Sequence, residues 1–99
     1  MIRSIEWSED ALADFESAIA YVSRKNLAAA ARIADRVLST IDNLADLPTG
    51  HQGRMAGTYE KLAQKTPYIV AYSMTDLTIY ILRIIHGSRD WPEDQWPTE

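Results

Sequence analysis

The sequence predicts an α+β fold in the order β-α-α-β-β-β, with an N-terminal helical hairpin packed on one face of a small, mostly antiparallel sheet. Two observations predict this class. Apolar residues recur at helical spacing in two consecutive stretches of the first half. After residue 54 the apolar residues recur with a period of about two, which is typical of strands. We expect a single domain over residues 1–99, because a chain of this length is too short for two well-buried cores.

The first strand and the first helix follow from the N-terminal pattern. Apolar and polar side chains alternate over residues 2–7, which predicts a short strand. Ser8 then supplies an N-cap hydroxyl for a helix that ends near Arg24 and Lys25, two cations that suit a helix C-terminus. The predicted apolar stripe of this helix comprises Leu12, Phe15, Ile19 and Val22.

The second helix is predicted to begin after Asn26, a favourable N-cap residue, and to end before Pro48 and Gly50. Only a few residues separate the two helices, so they are expected to pack as an antiparallel hairpin. The predicted stripe of the second helix comprises Ala30, Ala34, Val37, Ile41 and Leu44, widened by Ile33, Leu38 and Ala45.

Three strands are predicted in the second half. The first covers residues 54–63 and is interrupted at Gly57, where a bulge or bend is expected. The second covers residues 67–74, and Thr75 and Asp76 form a tight turn into the third, at residues 77–85. The third is apolar on both faces, which predicts a central position in the sheet.

Composition excludes several classes of protein. The apolar fraction is 46%, which argues against disorder. No apolar run is long enough to cross a membrane, and the N-terminus does not resemble a signal peptide, so we expect no membrane partner. The absence of cysteine excludes disulfides, thiolate metal sites and cysteine nucleophiles, and it is compatible with a reducing cytoplasm, where we expect the chain to act.

Charge is distributed unevenly along the chain. The formal net charge is −4, whereas proteins that grip phosphates usually carry a basic surplus. Residues 51–89 nevertheless hold five lysine and arginine residues against Glu60 and Asp76, which makes this region locally basic. Those five are Arg54, Lys61, Lys65, Arg83 and Arg89.

Arg83 is conspicuous because it is the one charged residue of an apolar strand. Its side chain either reaches solvent from an edge position or supplies positive charge at the base of a binding site. The sequence is compatible with both interpretations. His86, at the end of the same strand, is either structural or a proton donor. Both could converge on the sheet face that the helices leave uncovered, together with His51, Arg54, Tyr59, Glu60 and Lys61.

The chemistry open to such a set is limited. No metal-ligand spacing, nucleophile elbow or glycine-rich phosphate loop is present, so we expect no metal and no cofactor. What remains is electrostatic stabilisation or proton transfer at a phosphodiester, or a binding surface without chemistry. Trp91 and Trp96, each followed by proline, either fold back over the sheet or form part of a contact surface.

Four segments of the chain resemble the ParE/RelE toxin superfamily. They are Trp7-Ser8-x-x-Ala11-x-x-Asp14, Gly53-Arg54-x-x-Gly57-Thr58-x-Glu60, Pro67-Tyr68-Ile69-Val70-x-Tyr72 and Ile81-Leu82-Arg83-Ile84-Ile85-His86-Gly87-x-Arg89-Asp90-Trp91. The last segment is fairly specific, and the others occur in the expected order. The resemblance extends over nearly the whole chain, and the family fold agrees with the topology predicted above.

The resemblance implies a bacterial type II toxin, with a role such as plasmid stabilisation, that is neutralised by a cognate ParD-like antitoxin. Operator DNA would then be contacted only through the antitoxin. ParE-like members inhibit DNA gyrase, whereas RelE-like members cleave mRNA on the ribosome. Arg54, Arg83 and His86 match functional positions of RelE-like enzymes, but Tyr68 and Ile69 stand where many nucleases have an arginine. This departure and the negative net charge favour a non-enzymatic gyrase inhibitor, with the ribosome-dependent mRNA endonuclease as the alternative and an inactive or regulatory homologue as the remaining possibility.

Two surfaces are predicted on this basis. The predicted target-binding residues are Arg83, His86, Arg89, Trp91 and Trp96. The predicted antitoxin-binding residues, on the flank of the helical hairpin, are Ala18, Val22, Ala29, Ala30 and Ile33. For the second set the alternative is that the side chains pack against each other and the sheet.

Overall fold

A computed structural model of the chain describes residues 2–87. These residues form two helices and five strands. In chain order they are β1 (Ser4–Trp7), α1 (Glu9–Ser23), α2 (Leu27–Asp46), β2 (His51–Gln52), β3 (Tyr59–Leu62), β4 (Tyr68–Met74) and β5 (Thr78–His86). The predicted α+β class and the N-terminal helical hairpin are confirmed.

The sheet has the strand order β1-β5-β4-β3-β2. β1 pairs in parallel with β5, and the other three pairings are antiparallel, so the sheet is mostly antiparallel as predicted. β5 lies between β1 and β4, in the interior position that its apolar residues predicted. β1 ends at Trp7, opposite Ile81, so the last residues of β5 have no strand partner on that side within residues 2–87.

Both predicted helix caps are confirmed. The Ser8 hydroxyl accepts a hydrogen bond from the Ala11 amide at 3.0 Å and donates one to the Leu82 carbonyl at 2.9 Å. The Asn26 side chain accepts from the Ala29 amide at 3.0 Å. The cap at Ser8 therefore starts α1 and also attaches its first turn to the edge of β5.

The predicted strand over residues 54–63 is wrong in its first part. The chain forms the two-residue strand β2, a loop at residues 53–58, and then β3. The loop closes through hydrogen bonds from the Gly53 amide to the Thr58 carbonyl and from the Thr58 amide to the Met55 carbonyl. Gly57 has a φ of +80°, a conformation that ends strand geometry and favours glycine.

The buried face of each helix differs slightly from the predicted stripe. Leu12 and Leu38 are 47% and 41% exposed, so their assignment to the core is wrong. Ala11 is fully buried instead, because the attachment of Ser8 to β5 turns this side of α1 toward the sheet. Leu38 lies beyond the edge of the buried stripe of α2, which comprises Ala30, Val37, Ile41, Leu44 and Ala45.

The core lies mainly between the helices and one face of the sheet, and a smaller cluster covers the other face. A register shift between Ala71 and Tyr72 of β4 leaves Leu82 of β5 without an opposite residue. This bulge reverses the alternation of side chains along β5. Beyond it, Ile84 faces the helices and belongs to the main core, whereas Ile85 faces the other side and belongs to the smaller cluster. No helix within residues 2–87 combines the length and hydropathy needed to cross a membrane.

Candidate functional site

A groove of about 620 Å³ opens between α1 and the C-terminal end of β5. Its lining combines apolar side chains with a few polar groups, and it comes from both helices and from the paired ends of β4 and β5. The lining residues are Asp14, Ser17, Ala18, Tyr21, Val22, Arg24, Ile33, Pro67, Tyr68, Ile84 and His86. Concave, mostly apolar surfaces with a few polar groups are where proteins usually bind ligands and peptides.

Asp14 closes the open edge of β5 beside this groove. Its carboxylate accepts two hydrogen bonds from Arg83, from Nε at 2.7 Å and from Nη2 at 2.9 Å. It also accepts one from the Ile84 backbone amide at 3.1 Å, at a point where β1 no longer pairs with β5. The side chains of Arg83 and Asp14 are 13% and 15% exposed. Hydrogen bonding to Asp14 raises the pKa of the Arg83 guanidinium above its ordinary value, and this effect outweighs partial burial, which by itself would lower that pKa.

His86 lies on the groove side of β5. It is opposite Tyr68 in the strand register, and the two rings meet edge to face, with centroids 5.3 Å apart and planes at 83°. Tyr68 belongs to the helix-side core. Arg83, by contrast, is opposite Ala71, which belongs to the cluster on the other face. The side chains of Arg83 and His86 therefore project from opposite faces of the sheet.

A second arginine–carboxylate pair, formed by Arg54 and Glu60, lies near the β2 edge of the sheet, opposite the edge formed by β1. Glu60 is only 7% exposed and accepts from the Arg54 backbone amide at 2.9 Å, from Nε at 3.0 Å and from Nη2 at 3.3 Å. Burial by itself would raise the pKa of this carboxyl group, but the hydrogen bonds from Arg54 outweigh it and hold the pKa below its ordinary value. His51 lies next to the pair, with Nδ1 3.0 Å from the Glu60 carbonyl oxygen.

The structure thus brings His51, Arg54 and Glu60 together and holds Arg83 and His86 elsewhere. Glu60 lies on β3 and Arg83 on β5, two interstrand spacings or about 10 Å apart across the sheet. Each arginine has its own carboxylate. The sequence pointed to both arginines and placed Asp14 in one of the family-like segments, but it gave no indication that Asp14 pairs with Arg83.

The predicted antitoxin-binding residues are only partly accessible. Ala18, Val22 and Ile33 line the groove, and Ala29 is half-buried. Ala30 is 3% exposed and belongs to the core, which leaves it no surface for a partner. Of the predicted target-binding residues, Arg89, Trp91 and Trp96 lie outside the described residues. Within residues 2–87 no group of three histidine or acidic side chains is arranged to hold a metal ion.

Comparison with known proteins assigns the family. Residues 5–91 match the model of the ParE toxin of the type II toxin–antitoxin system parDE. The chain belongs to this toxin family. The match includes both helices and the sheet from Ile5 onward, so the groove and both arginine–carboxylate pairs lie within the family domain.

Individual relatives agree with this assignment to the ParE/RelE superfamily. The protein Y4kP of Sinorhizobium fredii is 32% identical over 92 residues, which cover 92% of this ParE-family chain and 95% of the relative. Toxin RelE2 of Caulobacter vibrioides is 34% identical over 89 residues, covering 89% and 99%. A solved structure of the chromosomal ParDE system from P. aeruginosa superposes with a TM-score of 0.78 at 17% identity, over 86% of this chain and 96% of that one, which shows that the two share a fold.

Proposed function

We propose that this toxin inhibits DNA gyrase without being an enzyme, and that a cognate ParD-like antitoxin neutralises it. The observation that carries the proposal is the pairing of both candidate catalytic arginines with carboxylates, Arg54 with Glu60 and Arg83 with Asp14. Both proposed partners, and the alternative ribosomal target, place its action in the cytoplasm.

Cleavage of RNA requires cations aimed at the phosphate charge that develops in the transition state. In this chain the positive charge of Arg54 and of Arg83 is offset at hydrogen-bonding distance by a carboxylate. The locally basic character of residues 51–89 is reduced accordingly, since Asp14 from α1 adds a negative charge to that region. A net charge of −4 further opposes entry among ribosomal RNA phosphates. These features support a protein target over an RNA substrate.

The proposed gyrase-binding surface is the C-terminal end of β5 and the segment after it. It comprises Arg83, His86, Arg89, Trp91 and Trp96. Tryptophan and arginine are the side chains that most often dominate protein interfaces. Removal of residues 91–99 should therefore abolish growth inhibition while antitoxin binding and the circular dichroism spectrum persist. Unchanged growth inhibition by the truncated chain would exclude these residues from the contact.

The groove is the proposed antitoxin site. Small and apolar side chains on its helical wall, Ala18, Val22 and Ile33, leave room for an apolar segment of a partner. Arg24 and His86 on the same lining add polar groups that can fix the orientation of that segment. Operator DNA is then reached only through the antitoxin, and a role in plasmid stabilisation stays a prediction.

The two targets can be compared directly with purified components. DNA supercoiling by gyrase and translation of a reporter mRNA are measured with equal amounts of the full-length toxin, with and without antitoxin. The proposal expects inhibition of supercoiling at concentrations that leave translation unchanged. Inhibition of translation alone, with cleavage of the mRNA, would refute it.

The second candidate is a ribosome-dependent mRNA endonuclease, which the similarity to toxin RelE2 favours. On this alternative Arg54 and Arg83 stabilise phosphate charge and His86 transfers a proton in the groove. Replacement His86→Ala should then reduce mRNA cleavage by about a hundred-fold or more. An unchanged cleavage rate would remove that role.

A further inference from the structure

Asp14 and Glu60 bind the arginines in the same way, although they lie on different elements of the fold. In each pair the carboxylate accepts from both Nε and Nη2 of the guanidinium, with one oxygen to each nitrogen. This bidentate arrangement uses the Nε/Nη2 edge, one of the two edges through which a guanidinium can bind a phosphate. A nucleic acid therefore meets two arginines in which one recognition edge is already occupied and the positive charge is offset by a carboxylate.

Each carboxylate is also held by a backbone amide, independently of the guanidinium that it pairs with. Asp14 accepts from the Ile84 amide and Glu60 accepts from the Arg54 amide. The carboxylate side chains are only 15% and 9% exposed. A phosphate must then compete with an internal anion that is fixed in place and shielded from water, which makes displacement unfavourable.

We propose that Asp14 and Glu60 determine the target class of this toxin by excluding nucleic acid from the sheet. They do so by occupying the Nε/Nη2 edge of Arg83 and of Arg54 and by offsetting the charge of each guanidinium. The inference rests on the proposed function, because it explains why a fold with arginines at these positions acts on a protein. It predicts that neutral replacements of the two carboxylates give the toxin an affinity for RNA that the wild type lacks.

The test uses full-length toxin and a fluorescein-labelled 20-nucleotide oligouridine, with binding followed by fluorescence anisotropy between 50 and 200 mM NaCl. The variants are Glu60→Gln, Asp14→Asn and the double variant. Each newly available phosphate contact to a single strand should steepen the slope of log K against log salt by about 0.7. The double variant should therefore gain a slope of about −1.4, which weakens binding about seven-fold over this salt range.

A matched control separates the two arginines from the overall charge. The double variant Glu16→Gln with Asp42→Asn removes the same two negative charges from exposed positions on α1 and α2. The proposal expects this control to bind RNA as weakly as wild type. An equal gain by the control would overturn the proposal, because net charge alone would then explain the binding.

Folding is checked for every variant by near-ultraviolet circular dichroism. If Asp14→Asn does not fold, Glu60→Gln alone still tests the proposal. Its RNA binding should then show a slope of log K against log salt of about −0.7. Folded Glu60→Gln that binds no RNA overturns the proposal and leaves gyrase inhibition by the wild type intact. Wild-type toxin that binds RNA with the full slope overturns this proposal, and failure to inhibit gyrase in parallel would separately count against the proposed function.

Discussion

The replacement Asp14→Asn tests whether the carboxylate at the edge of β5 stabilises the fold. It removes the negative charge that faces Arg83 and weakens three hydrogen bonds. Breaking a buried ion pair by removing one partner costs about 3–5 kcal/mol. Because both side chains are slightly exposed, at 13% and 15%, and asparagine keeps one acceptor oxygen, we expect a loss of about 2–3 kcal/mol.

Urea unfolding at pH 7 measures this loss. With an m-value of about 1.5 kcal/mol per molar, the midpoint should fall by about 1.3–2 M. The control Glu16→Gln, at an exposed position of the same helix, should change the free energy of unfolding by less than about 0.5 kcal/mol. In an Arg83→Met background Asp14→Asn should cost at least about 1 kcal/mol less than in the wild type. A loss below 0.5 kcal/mol, or an equal loss in both backgrounds, would refute the reasoning.

Three further predictions follow from local geometry. Gly50→Ala should cost about 2–3 kcal/mol in urea unfolding, because a Cβ there would lie 2.8 Å from Cε1 of the buried Tyr72 ring; a loss under 1 kcal/mol would contradict this. The stability deficit of Glu60→Gln at pH 7 should shrink as the pH falls below about 4.5, because Glu60 of the unfolded chain then takes up a proton first. The native carboxylate, with its lowered pKa, follows at lower pH, where its contribution to stability is lost. A deficit that is constant with pH would exclude that contribution. Val22→Glu in the groove should weaken antitoxin binding about thirty-fold or more in calorimetry, whereas Leu12→Glu, outside the groove on the same helix, should change it less than three-fold; equal effects would exclude the groove.

Much of the fold was predictable because burial leaves a periodic signal in the sequence. The caps at Ser8 and Asn26 were predictable because their side chains act on amides only three residues away. The bulge at Leu82 was not, since it depends on the register between two strands and β5 is apolar on either side of it. The bend at Gly57 was predicted, but the extent of the loop before β3 was not, because it depends on backbone hydrogen bonds that no side-chain pattern records.

The site was predictable to a lesser extent. Arg83 stood out as a charge within an apolar strand, but its partner is 69 residues away along the chain. The Asp14 carboxylate is placed by the packing of α1 across the end of β1, and no local spacing reports that contact. Arg54 and Glu60 are close in sequence, yet the strand predicted for both would have hidden the loop that lets them pair. The partner of each arginine therefore follows from tertiary structure and not from a local sequence pattern.

The most direct test of the account is the accumulation of cleaved DNA by purified gyrase after addition of the full-length toxin. Plasmid DNA is incubated with gyrase and toxin, treated with detergent and protease, and resolved on a gel. The account predicts linear DNA that increases with toxin concentration and disappears when the ParD-like antitoxin is added first. Unchanged gyrase activity in the presence of folded toxin that binds its antitoxin would contradict the account and point to the ribosome.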